Sequence, residues 1–296
     1  MRLGFRLPTA GTLPSTLGVG AMARAAEAAG AESLWVGDHI VWVADYASPY
    51  PYSPDGRPPK LLPQTPFYEA LTAMTWIAAN TTSARVGAAV LVLPQRDPVL
   101  LAKTAATLDA LSAGRAVLGV GAGWLREELE ALGWDWRSRG PRMEEAIAVM
   151  RACWSGAPDA FSGRFFQLPP GVMCFPTPVA GRVPVLVGGM TDAAIDRAAR
   201  VGDGWFALTN LAHYDRDGLA ERLARARAAP RPDGAGALAH VVRVVGEVDA
   251  GDRPLEQLRE LAALGFEEAI VEVAWPDLDT AAESIARVTA VVAGFP

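Results

Sequence analysis

The strongest constraint on the fold is a turn that recurs. Ala28-Ala29-Gly30-Ala31-Glu32-Ser33-Leu34 and Ala263-Leu264-Gly265-Phe266-Glu267-Glu268-Ala269 share one pattern, and Ala113-Gly114-Arg115-Ala116 and Arg200-Val201-Gly202-Asp203-Gly204-Trp205 play the same part. Each places a glycine where a helical stretch stops, just before a short apolar run that reads as a buried strand. Helix, glycine and buried strand repeated through 296 residues is the pattern of parallel β/α units.

Strand-like runs fall at residues 2–7, 33–36, 85–91, 116–119, 183–187, 204–207, 241–248 and 269–273. Helical stretches are expected at 17–29, 67–79, 98–113, 127–132, 142–154, 192–199, 219–228, 255–264 and 280–292. Eight strands alternating with helices predict an α/β fold, a (β/α)8 TIM barrel forming a single domain over 1–296. A doubly wound sheet is the competing architecture. It usually carries a glycine-rich turn after its first strand, and Pro8-Thr9-Ala10-Gly11-Thr12 is not G-x-G-x-x-G.

Two stretches exceed ordinary barrel connections. Residues 40–66, dense in proline around Tyr50-Pro51-Tyr52-Ser53-Pro54, read as a lid or pocket wall after the second strand. Residues 124–182, after the fourth strand, read as a longer insertion carrying helices and a hairpin near Phe161–Phe166.

Composition narrows the class. With 51% apolar residues the chain can bury a large core. A net charge of −6 argues against a general nucleic-acid surface. No uncharged apolar run reaches the ~18 residues of a membrane span, and the amino terminus is too short in apolar residues for a signal peptide. Cys153 and Cys174 make no disulfide framework. A soluble, cytoplasmic protein is expected.

In a barrel the chemistry lies at the carboxyl ends of the strands. The second strand, Ser33-Leu34-Trp35-Val36, ends in Gly37-Asp38-His39. Asp38 can cap a turn and His39 can be an ordinary surface histidine, but their joint place beside a proline-rich stretch favours function. Absences also count. No H-x-H follows the first strand, His213 and His240 are isolated, neither Lys60 nor Lys103 falls on a strand, and no G-x-S-x-G occurs. A metal hydrolase, a Schiff-base aldolase and a serine hydrolase therefore lack their groups, which leaves an organic cofactor as the source of chemistry.

Gly188-Gly189 before a helix capped by Thr191 or Asp192 fits a phosphate site or a tight strand-to-helix turn. Gly119-Val120-Gly121-Ala122-Gly123 fits close backbone approach to a ligand or a loose turn. Trp42, Tyr50, Tyr52 and Trp124 are either packing residues or the walls of a pocket for a flat ring.

Taken in order, several segments resemble the luciferase-like monooxygenase superfamily, and within it the oxidoreductases dependent on the deazaflavin coenzyme F420. They are Ala25-Ala26-Glu27-Ala28-Ala29-Gly30 through His39, Tyr50-Pro51-Tyr52, Val90-Leu91-Val92-Leu93-Pro94, Asp97-Pro98 and Leu101 to Asp109. Further along come Leu111-Ser112-Ala113-Gly114-Arg115, Leu118 to Trp124, Arg139-Gly140, Gly188-Gly189 and Arg200 to Trp205. FMN-dependent members share the barrel. The resemblance implies a homodimeric (β/α)8 enzyme with the deazaflavin across its strand ends. It places Asp38 and His39 near the ring, with His39 as the proton donor or acceptor. It puts a non-prolyl cis peptide at Ala89-Val90 against the ring, Ala122 and Gly123 on the ribityl chain, and Gly188, Gly189 and Thr191 on the phosphate. Where sugar-phosphate-oxidising relatives carry a glutamate after the fourth strand, this chain has Trp124. A second acid–base group is thus not expected at that position, and an apolar or conjugated substrate is. The implied activity is hydride transfer between F420 and an enone, imine, ketone or alcohol. A monooxygenase using reduced FMN and a non-catalytic cofactor-binding barrel are the alternatives.

Overall fold

The computed structural model describes residues 1–51, 53, 55–57, 64–249 and 251–295. In chain order the elements are β1 (Arg2–Arg6), α1 (Val19–Ala28), β2 (Ser33–Val36), α2 (Ala70–Ala79), β3 (Arg85–Val92), α3 (Pro98–Leu111) and β4 (Ala116–Gly121). There follow α4 (Arg126–Ala131), α5 (Arg139–Trp154), the antiparallel pair β5 (Phe161–Ser162) and β6 (Gln167–Leu168), β7 (Val185–Gly188), α6 (Asp192–Val201) and β8 (Gly204–Asn210). The chain closes with α7 (Arg216–Ala228), β9 (Ala239–Glu247), α8 (Asp252–Leu264), β10 (Glu268–Glu272) and α9 (Leu278–Ala293).

Among the described residues, eight parallel strands close a barrel in the order β1-β10-β9-β8-β7-β4-β3-β2, with β1 pairing both β2 and β10. This is the (β/α)8 barrel the recurring turn predicts. Gly30, Gly114 and Gly265 hold φ of +98°, +86° and +95°, the left-handed region that ends a helix cheaply only with glycine. Gly202 differs: its φ is −97°, and its glycine is needed because a Cβ would come within 2.7 Å of the Ala198 carbonyl.

The helices lie outside the strands and bury one stripe each, such as Leu101, Ala105 and Leu108 on α3 or Ile285 and Val288 on α9. Inside the barrel, Trp35 stacks on Phe206 at 5.6 Å between ring centroids, in a layer with Val117, Leu186, Val241 and Ile270. Gly4 and Gly87 make room for the indole, since a Cβ on either would meet it. The amino-terminal side of the barrel is closed by Glu268, fully buried and bonded to Ser33 Oγ at 2.5 Å and to Arg85.

The main boundary difference lies at α2. The sequence predicts a helix from Phe67, but Phe67 pairs with Ala10 in an isolated bridge. The helix starts at Ala70 because the Glu69 carboxylate accepts the Thr72 N–H at 2.8 Å. Among the described residues, no helix is long and apolar enough to cross a membrane, and no cluster of His, Cys, Asp and Glu could hold a metal. Both cysteines are buried and unbridged, and burial with the neighbouring Cys174 pushes the Cys153 thiol up to about 11.

Candidate active site

β2 delivers Asp38 and His39 to the carboxyl end of the barrel, and the two residues turn in different directions. The Asp38 carboxylate is buried and accepts from the Val92 N–H at 2.8 Å. It also takes both arms of the Arg96 guanidinium, at 2.7 and 2.8 Å. Arg96 in turn reaches Glu69 at 3.1 Å. Asp38 thus binds the ends of β2 and β3 together.

His39 faces the mouth. Its Nδ1 lies 2.8 Å from Glu128 Oε2. A carboxylate accepts, so Nδ1 carries the hydrogen and Nε2 is left as the atom for proton work; this tautomer follows from the hydrogen-bond network. The imidazole sits edge-on to Trp42, Phe67 and Trp124, with ring centroids 5.0, 5.4 and 6.0 Å away. Tyr46 and Tyr50 extend the wall, packing on Trp124 at 5.8 and 5.1 Å. The buried Trp42 Nε1 has no hydrogen-bond partner among the described residues.

The first turn of α4 holds this wall in place. Glu128 is 1% exposed, and its Oε1 accepts the N–H groups of Ile40 and Val41 at 2.7 and 3.2 Å. Its neighbour Glu127 accepts those of Ala47 and Ser48 at 2.8 and 3.2 Å. Burial raises the Glu127 pKa, but these donors and the Ser48 hydroxyl outweigh it and hold the carboxyl below its ordinary value. Two adjacent carboxylates therefore hang residues 40–48 on the segment that follows β4.

β3 supplies a ridge. The Ala89-Val90 peptide is cis, and the register of β3 against β4 shifts between Ala88 and Leu91. Gly121 and Gly188 both lie against Val90: a Cβ on the first would come within 2.6 Å of Val90 Cγ2, on the second within 3.2 Å of Val90 Cγ1. The glycine run after Leu118 is therefore the space into which β3 bulges. Ala122 and Gly123 follow at the half-buried end of β4. Across the ridge, β7 ends in Gly188-Gly189, and Thr191 caps α6 by accepting the Ala194 N–H at 3.3 Å.

The structure thus gathers His39, Trp42, Tyr50 and Trp124 into one wall and sets Ala89, Val90, Ala122, Gly123, Gly188, Gly189 and Thr191 at the ends of β3, β4 and β7. Tyr52 lies outside the described residues. Sequence reasoning missed Glu128, Tyr46, Phe67 and Arg96. For Glu128 a signal existed: it stands three residues after Leu125 and one before Leu129, both buried, which puts it on the inward side of a short helix. Trp124 itself carries no carboxylate, but the site does not lack one, because Glu128 reaches the histidine from one turn further on.

The sequence profile of the luciferase-like monooxygenase family matches residues 3–270, and the chain belongs to that family. Among its relatives, the Mycobacterium tuberculosis protein Rv0940c is 40% identical over 184 residues, which are 62% of each chain. The chain thus matches a little under two thirds of that relative's length. The Mycobacterium tuberculosis protein Rv0953c is 31% identical over 279 residues, 92% of this chain and 93% of that one. A phthiodiolone/phenolphthiodiolone dimycocerosates ketoreductase of Mycobacterium bovis is 32% identical over 208 residues, 66% of this chain and 52% of its own. Two solved structures share the fold at low identity. An F420-dependent secondary alcohol dehydrogenase in complex with an F420-acetone adduct superposes with a TM-score of 0.74, 17% identity and 98% coverage of both chains. The oxygenating constituent of 3,6-diketocamphane monooxygenase from Pseudomonas putida, in complex with FMN, gives 0.71 and 14%, covering 99% of this chain and 98% of that one.

Proposed function

We propose that this protein is an oxidoreductase that moves a hydride between coenzyme F420 and an organic small molecule, a ketone or alcohol, an enone or an imine. The observation that carries this reading is the Glu128–His39 pair, an imidazole with a fixed tautomer and a free Nε2 on an aromatic wall at the barrel mouth. Such a group suits proton exchange with a substrate oxygen or nitrogen.

The mouth fits a planar ring with a phosphate tail. Val90 provides a ridge bare of side chains on its Gly121 and Gly188 flanks. The orphaned Trp42 Nε1 offers a donor beside His39. The capped amino end of the ten-residue α6 offers backbone N–H groups to an anion. In this reading Ala89 and Val90 support the ring, Ala122 and Gly123 flank the ribityl chain, and Gly188, Gly189 and Thr191 hold the phosphate. When bound, the deazaflavin supplies or accepts the hydride. The protein's own residues orient the reactants: Asp38 fixes the ends of β2 and β3, and Trp42, Tyr50 and Trp124 form the substrate wall and exclude water. His39 Nε2 gives or takes the proton that balances the hydride, and Glu128 keeps it aimed.

The barrel hosts both F420 and FMN in structures of the same fold, so the fold does not choose between them. The choice of F420 rests on the ordered residue matches, while the ketoreductase among the relatives supports carbonyl reduction. The same matches support a homodimer. Parallel titrations with F420 and with FMN, followed by quenching of cofactor fluorescence, test the assignment. Tighter binding of F420 is expected; preference for FMN would favour the reduced-flavin monooxygenase reading, and tight binding of F420 without turnover would favour a cofactor carrier.

A further inference from the structure

The barrel mouth holds a charged cluster that this reading does not use. Arg6 ends β1, Glu272 ends β10 and Arg243 lies within β9. All three stand at alternate positions with Gly4, Ile270 and Val241, whose strand faces look into the barrel. Arg6 Nη1 and Arg243 Nη2 approach the same Glu272 oxygen, at 3.4 and 3.2 Å, and Arg243 Nη1 donates to the Ala89 carbonyl at 3.2 Å. Among the described residues, the buried Nε atoms of both arginines have no hydrogen-bond partner.

Among the described residues, one carboxylate between two guanidiniums leaves one surplus positive charge, on side chains about a fifth exposed, 23% for Arg6 and 18% for Arg243. Burial lowers the Arg6 guanidinium below its ordinary value, Glu272 pulls the other way, and Arg243 adds to the drop. The cation is under-compensated.

The cluster adjoins the catalytic wall. A Cβ on Gly37 would meet Arg6 Nη2 at 2.8 Å and Phe67 Cζ at 3.2 Å, and the Phe67 ring packs on His39. Tyr50, which packs on Trp124, feels Arg243, Arg6 and Glu272, while burial pushes its phenol up.

We propose that Arg6, with Arg243, forms a subsite for a single carboxylate, so that the substrate is an organic acid whose conjugated or aromatic body lies against Trp124 and Tyr50. This rests on the barrel mouth being the substrate site of the proposed oxidoreductase. Arg6 gives Glu272 only a long Nη1 contact, which leaves the partly exposed guanidinium with donor capacity for a carboxylate. One surplus charge matches a monoanion; a dianionic phosphate would leave a negative charge uncompensated in a half-buried site.

The test compares trans-cinnamate with cinnamamide, equal in shape and different in charge, by tryptophan fluorescence on the wild type, Arg6→Met and Arg6→Lys, with and without F420. In the wild type, cinnamate is expected to bind at least ~10-fold tighter than the amide at low ionic strength. Arg6→Met removes that preference, Arg6→Lys keeps part of it, and neither changes F420 affinity by more than about two-fold. Equal binding of the two probes by the wild type, or an undiminished preference in Arg6→Met, overturns the proposal. So does a loss of F420 affinity in Arg6→Met with the cinnamate preference intact, which would give the cluster to the cofactor. Arg6→Lys keeps the test informative if Arg6→Met does not fold. If F420 fails to bind while the cinnamate preference stands, the subsite survives and the cofactor reading falls; if F420 binds and no preference exists, the subsite alone falls.

Discussion

His39 Nδ1 lies 2.8 Å from Glu128 Oε2, a bond between residues 89 apart that joins the end of β2 to the first turn of α4. Glu128 works on the imidazole and on the backbone at once, through its second oxygen on Ile40 and Val41. Glu128→Gln keeps the shape and removes the charge. Turnover should fall about 10- to 100-fold while F420 affinity changes little. Steady-state kinetics beside a binding titration read both. Unchanged turnover would reduce Glu128 to a loop anchor.

The Asp38–Arg96 pair is a buried, two-armed ion pair, so removing either partner strands a charge. Asp38→Asn and Arg96→Met should each cost about 3–5 kcal/mol of stability, read as a drop of ~10 °C in melting temperature. Because Asp38 acts by positioning, both variants should weaken F420 binding to a similar degree. A loss confined to Asp38→Asn would make its carboxylate a direct ligand contact.

Glu27 governs an acid-sensitive joint. From α1 it accepts the N–H groups of Thr82, Ser83 and Ala84 at 2.8–3.0 Å, tying the α2–β3 turn down. Burial raises its carboxyl, but these donors prevail and bring it to about 2, from an ordinary 4.5. A depressed folded-state value gives stability that is fully present above pH 4.5 and lost as pH falls towards 2. Urea midpoints between pH 6 and pH 2.5 should fall faster for the wild type than for Glu27→Gln, itself about 1–2 kcal/mol less stable at neutral pH.

Gly121 tests the ridge. An added Cβ meets Val90 Cγ2 at 2.6 Å, so Gly121→Ala should cost about 1–3 kcal/mol and weaken F420 binding by displacing Val90. Stability loss with unaltered binding would remove Val90 from the cofactor site.

The barrel was legible because its signal is local. The glycine that stops each helix lies next to the strand it introduces, and Ser33–Val36 is bounded as the sequence reads it. His39 was legible for the same reason, as the polar end of an apolar strand. Its partners were not. Glu128 and Arg96 reach His39 and Asp38 across 89 and 58 residues; the spacing of Glu128 to Leu125 and Leu129 marks it as inward, but nothing local says which residue it meets. The run from Gly119 to Gly123 reads locally as ligand approach or a loose turn. Its glycines answer to Ala88, Val90 and Val92 on the neighbouring strand, contacts that only the folded sheet creates. The Arg6–Glu272–Arg243 cluster joins the two ends of the chain, so no window along the sequence contains it.

The central claim is that His39 exchanges the proton that balances hydride transfer to or from F420. Single-turnover measurement of the F420 absorbance change, with the cofactor bound beforehand and a panel of ketones, enones and alcohols supplied, tests it most directly on wild type and His39→Ala. The account predicts F420 affinity within about three-fold and a hydride-transfer rate at least ~10²-fold lower in the variant; equal rates in the two proteins would contradict it.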